Sequence, residues 1–229
     1  MEDDFDDLAY LRDQVSTLVE SGFFNEDDLE TYIADLAFDP HSAPHAGVVR
    51  QHALAALATK RAAEATWPAV TDWDRLARAF DALEADGILA LHNAGMTTSD
   101  AHGDAWDLIG RDPPDSWRGF AYYHGQDIER VLGGHALFIG FDAVAEGVEA
   151  KRGIGESVVA ALKAEGFAPS WNGDPETRLD VPGIVWHKRT DWVRPAGPAA
   201  PLPPPPPPPP RRPRGAAAGS DLWQRLFGR

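Results

Sequence analysis

Residues 119–141 read GFAYYHGQDIERVLGGHALFIGF, and the fold class turns on this stretch. Phe120–Tyr123 is a run of aromatic and small apolar residues, which predicts a strand. Gln126–Leu132 predicts a short helix, stopped by Gly133-Gly134. His135–Phe141 predicts a second strand. Strand, helix and strand follow one another through very short links. Such links favour an α+β domain, with a mixed or antiparallel sheet and helices on one face, over a doubly wound parallel fold.

The pattern continues on both sides. On the C-terminal side, Gly155–Glu165 predicts a helix with Val158, Val159 and Leu162 inward. Phe167–Trp171, Arg178–Val181 and Ile184–His187 predict short strands, with Asn172-Gly173 as a tight turn and Pro182-Gly183 as a break. On the N-terminal side, Ile88–Leu91 predicts a buried strand. Residues 93–104 predict a polar, glycine-bearing loop with a short helix after it. Thr71 or Asp72 caps a helix running to about Ala85, with Leu76, Phe80 and Leu83 on its apolar face. Three earlier helices are predicted near 4–20, 26–36 (capped by Asn25) and 46–66. Residues 1–66 are therefore read as the helical part of one body and 67–193 as its α+β part.

Beyond the body the composition changes. Residues 201–214 read PLPPPPPPPPRRPR, which cannot join a packed core. The expectation is a disordered, Pro-rich linker over 194–219. A polyproline II rod rises about 3.1 Å per residue, so residues 201–213 would span roughly 40 Å. A short amphipathic peptide, 220–229, follows. Leu222, Trp223, Leu226 and Phe227 share one side of it, flanked by Arg225, and this tip is read as a partner-binding peptide.

Charge sharpens that division. The chain of 229 residues has a formal charge of −15, but residues 194–229 carry +5 and the body −20. So acidic a body repels phosphate backbones, which argues against nucleic acid. Its counterpart, the basic tip, suits a protein partner and also suits docking on the acidic body itself; four apolar side chains make membrane contact the lesser option. There is no cysteine, so disulfides and Cys-based zinc sites are excluded. With no signal-like N-terminus, the expected location is the cytoplasm.

Motifs with chemistry are sparse. His124 and Asp127 fall where a strand hands over to a helix, a usual place for a site. His124 is the candidate general base, oriented by Asp127; the alternative is helix capping at a turn. His92 and Asn93 follow the Ile88–Leu91 strand in the equivalent position. If the two strands are neighbours, all four residues meet at one sheet edge, giving a hydrolase-type pocket. Asp100, His102 and Asp104 raise a metal site, yet two-residue spacings in a loop read first as a solvated loop. His41, His45 and His52 read as surface-helix residues. No nucleophile elbow or phosphate loop is present, and no metal or cofactor is expected. The primary reading is a non-catalytic binding or regulatory module; the hydrolase-type enzyme is the alternative.

The body also resembles a family of bacterial, largely actinobacterial proteins, the domain of unknown function (DUF) 6891 family. The resemblance spans about residues 5–190. It rests on Trp67-Pro68, Thr71–Leu76, Ala79-Phe80, Gly87-Ile88, Asn93, Gly119–Asp127, Gly166-Phe167, Trp171–Gly173, Arg178 and Trp186, and it brings no assigned function. The resemblance also implies a Cys-x-x-Cys-like pattern just after the position of Asn93. This chain has Ala94-Gly95-Met96-Thr97-Thr98-Ser99-Asp100 there, so any metal or thiol role of that loop is lost in it; the alternative is that such cysteines are buried small residues.

Overall fold

A computed structural model describes residues 7–192. The predicted Pro-rich linker and the tip residues Leu222, Trp223, Arg225, Leu226 and Phe227 lie outside the described residues. Three helices open the domain: α1 (Asp7–Ser21), α2 (Glu26–Leu36) and α3 (Ala46–Glu64). After them come α4 (Asp72–Ala85), β1 (Ile88–Leu91), α5 (Thr98–Ile109), β2 (Gly119–Tyr122), α6 (Gly125–Leu132), β3 (Leu137–Ala143), α7 (Val148–Ala164) and β4 (Leu179–Val181). The sheet order is β1-β2-β3-β4. β1 and β2 are parallel, while β3 runs antiparallel to both β2 and β4. The fold is α+β with a mixed sheet.

Local sequence sets the helix starts. In α2, α4 and α5 a capping side chain at Asn25, Thr71 or Thr97 accepts the third backbone N–H. An acid three residues on, Asp28, Asp74 or Asp100, accepts the cap's own N–H. Each reciprocal pair satisfies two orphan donors.

Alternation in the strands then builds two faces. Ile88 and Ala90, Ala121 and Tyr123, Leu137, Ile139 and Phe141, and Leu179 and Val181 turn to one side. There they meet Leu76, Phe80 and Leu83 of α4, Ile128 and Val131 of α6, and Ile154, Val158 and Leu162 of α7. The opposite residues Leu89, Phe120 and Tyr122 meet Ala101 and Ala105 of α5. The helices α4, α6 and α7 thus share the predicted face, and α5 adds cover on the other. β3 turns Phe138, Gly140 and Asp142 to that second side, where Arg130 lies over the Phe138 ring and His102 of α5 stands near Asp142.

Several elements differ from expectation. α5 begins inside the predicted loop, because the Thr97–Asp100 capping box nucleates it and Ala101 and Ala105 find a buried seat. α7 begins at Val148 and runs through Gly153 and Gly155. Gly155 belongs in the helix because a Cβ there would lie 2.7 Å from the Phe141 ring and 2.8 Å from the Trp171 ring. Phe167–Trp171 forms no strand; its ladder is the single bridge Ser170↔Asp180. The segment Ile184–His187 forms none either, since its polar groups pair elsewhere: Val185 N–H donates to Asp72 and the Trp186 indole donates to the Ser21 carbonyl. Asn172 does make a turn, accepting from Asp174 N–H and the Thr177 hydroxyl, but the chain reaches β4 only at Leu179.

Long-range caps seal the helical part to the rest. Lys60 Nζ donates to the Val19 carbonyl at 2.9 Å and Lys188 Nζ to the Gly22 carbonyl at 2.7 Å. With Trp186, which donates to the Ser21 carbonyl, these side chains bond carbonyls at the end of α1 and just beyond it. Lys188 also lies over the rings of Phe23 and Trp73.

Candidate functional site

The sheet places His124 immediately after β2 and just before α6. His124 is 2 % exposed, and Asp127 is fully buried. Asp127 Oδ2 accepts the His124 backbone N–H at 3.2 Å. The same oxygen accepts from Arg178 Nη1 at 3.0 Å, and Arg178 Nη1 lies 3.0 Å from His124 Nε2. A guanidinium only donates, so Nε2 must be the accepting nitrogen and Nδ1 carries the ring proton. Nδ1 stands 3.2 Å from Asp127 Oδ2 but out of hydrogen-bonding line. Asp127 Oδ1 is buried with no hydrogen-bond partner among the described residues.

Electrostatics follow from this packing. Burial, then the Arg178 charge, lowers His124 to about 4. Burial raises Asp127 above the ordinary carboxylate range, against the pull of Arg178. The cluster is therefore a neutral imidazole beside an ion pair between a fully buried carboxylate and a part-exposed guanidinium. Arg178 also lies over the Phe138 ring, 4.9 Å from its centroid, with Arg130 at 4.1 Å.

Thr98, in the first turn of α5, brings its hydroxyl to 3.4 Å from Nε2. Thr98, His124 and Asp127 thus trace the outline of a hydroxyl–imidazole–carboxylate relay. Arg178 occupies the lone pair that such a relay needs.

The other candidates go elsewhere. β1 and β2 are neighbours as required, yet His92 and His124 turn to opposite faces. His92 stacks on Phe80 with centroids 4.5 Å apart, and its Nδ1 lies 2.7 Å from the Tyr123 hydroxyl, on the α4 side. His124 lies beside Tyr122 on the α5 side. Asn93 adopts φ +52° and lines a hollow of about 240 Å³ with Leu18, Phe24, Met96 and Ile128. Asp100 caps α5, and His102 stands 4.0 Å from Asp142 with burial lowering its pKa. Among the described residues no group of three or more His, Cys, Asp or Glu could hold a metal ion. His52 bridges helices through Ser16 at 2.8 Å.

Sequence reasoning gave no role to Arg178 or Thr98. Arg178 stands 54 positions from His124, so no local spacing links the two. The paired lysines Lys60 and Lys188, each lowered to about 8 by burial, carried no sequence signal either.

The fold and the cluster together define an α+β domain with an arginine-clamped histidine at the junction of β2 and α6. The chain belongs to the family described as a domain of unknown function (DUF6891), whose model matches residues 4–190. No curated protein and no solved structure matches the chain. Among the described residues no helix is long and apolar enough to cross a membrane.

Proposed function

We propose that this is a non-catalytic cytoplasmic binding or regulatory protein, whose C-terminal tip docks on a protein partner. The observation that carries the reading is the clamp on His124. Both acceptors that an acid–base site would use, His124 Nε2 and Asp127 Oδ2, are filled by one Arg178 nitrogen. A histidine lowered to about 4 is neutral at pH 7 and therefore has no imidazolium proton to give as an acid. As a base it is weak and already engaged. The tip supplies adjacent apolar anchors, Leu222, Trp223, Leu226 and Phe227, with Arg225 beside them.

The test compares full-length bait with a Leu222→Asp, Phe227→Asp variant. A protein captured by the first and lost with the second supports the reading; identical capture counts heavily against it. The hydrolase alternative retains one favourable observation, the 3.4 Å approach of Thr98 to His124. It requires Arg178 to withdraw, so Arg178→Ala should then gain ester hydrolysis that disappears when His124→Ala is added.

A further inference from the structure

Three exposed apolar side chains gather at one place on this acidic surface. Trp106 is 43 % exposed, Val144 39 % and Val148 58 %. All three line a shallow hollow of about 500 Å³ between α5 and the β3–α7 connection. One edge of Trp106 is seated on Phe120, with ring centroids 5.6 Å apart and nearly perpendicular. The other edge faces out. A tryptophan fixed in this way is a preformed anchor that loses little side-chain freedom on binding.

The rim has a definite sign. Asp142, Glu146 and Glu176 line the hollow. The one lysine in the lining, Lys151, is already answered by Asp142 at 3.7 Å and Glu176 at 3.2 Å. An occupant of this hollow should therefore combine apolar side chains with basic ones.

We infer that the Trp106 hollow is the resting seat of the chain's own tip, with Leu222, Trp223, Leu226 and Phe227 over Trp106, Val144 and Val148, and Arg225 and Arg229 toward the acidic rim. This deepens the binding reading: a partner would compete with the body for the tip. Charge selects the occupant, since residues 194–229 carry +5 and the body −20. Reach permits it. A domain of this length has a radius of gyration of about 16 Å, hence a width of about 40 Å. A proline run of this length would span roughly 40 Å if fully extended, and further residues lie on either side of it.

The chain contains no cysteine, so Ser220→Cys in the full-length protein accepts a single nitroxide. Amide signals of residues 104–108 and 144–151 should then be selectively lost, and should return with Leu222→Asp, Phe227→Asp or with Trp106→Ser. A uniform or absent effect overturns the proposal. Loss of signal that appears only when isotope-labelled protein is mixed with separately spin-labelled protein also overturns it, by showing that the seat takes the tip of a second copy. Partner capture is measured separately, so capture without broadening refutes the seat alone, and broadening without capture refutes the partner alone.

Discussion

Arg178 Nη1 lies 3.0 Å from Nε2 of His124, across 54 residues of sequence. That contact joins the segment before β4 to the start of α6 and determines which ring nitrogen of His124 is protonated. It also makes the cluster a structural joint. Removing Arg178 strands the buried Asp127 carboxylate. Arg178→Met should lower stability by about 3 kcal/mol, the usual effect of leaving a buried charge without its partner. Arg178→Lys should recover only part of this, because a lysine lacks the planar fork. Urea unfolding followed by circular dichroism checks both; wild-type stability in Arg178→Met would refute the joint.

Acid should weaken the fold through His124. Its folded pKa is about 4, below the ordinary 6.5. Between those values the unfolded chain binds the extra proton, so stability falls as pH drops from 6.5 toward 4. The full shift corresponds to about 3 kcal/mol. Asp127 acts in the opposite sense: its folded pKa is raised, so it favours the folded state as pH falls through that raised value. His124→Gln should flatten the decline between pH 6.5 and 4 in denaturation midpoints. An unchanged slope would exclude His124 as its source.

Alkali should first strengthen the protein and then weaken it. Lys60 and Lys188 titrate near 8 when folded, against an ordinary 10.5. The unfolded chain holds more protons through that window, so stability rises from about pH 8 toward 10. Above pH 10 the tyrosines reverse the trend. Burial raises Tyr10 to about 12 and Tyr123 well above 10, so only the unfolded chain loses those protons. Thermal midpoints measured from pH 7 to 11 should pass through a maximum near 10, and Lys188→Met should reduce the rise.

Gly140 is closed to any side chain. It pairs with Tyr122 across β2 and β3, and a Cβ there would run into the Tyr122 ring and hydroxyl. Gly140→Ala should cost about 1–3 kcal/mol, the range for overpacking. Tyr122→Phe relieves only the contact with the oxygen, so the double variant should recover part of the loss. Full stability of Gly140→Ala in chemical denaturation would contradict this packing.

Much of the architecture was legible in the sequence where the deciding forces are local. Asn25 and Thr71 marked helix starts because capping acts within one turn. The α4 face showed because Leu76, Phe80 and Leu83 repeat at helical spacing. Thr97 and Asp100 carried an equally local signal, masked by the polar, glycine-bearing loop around them. Ile184–His187 looked like a strand from its apolar content, but with Pro182-Gly183 before it the backbone turned to Asp72 for a partner.

The α+β class, the acidic body with its basic extension, the lack of any cysteine chemistry and the position of His124 at a strand–helix junction can all be read along the chain. These follow from periodicity, capping and composition, which act over a few residues or over the whole chain. It took the folded chain to turn His92 and His124 away from each other, because side chains follow strand alternation and a shared sheet edge does not mean a shared face. Only it brought Arg178 onto His124, Lys188 under α1 and Trp106 beside Val144 and Val148. Such contacts depend on which elements become neighbours, and that is settled by the packing of the whole core.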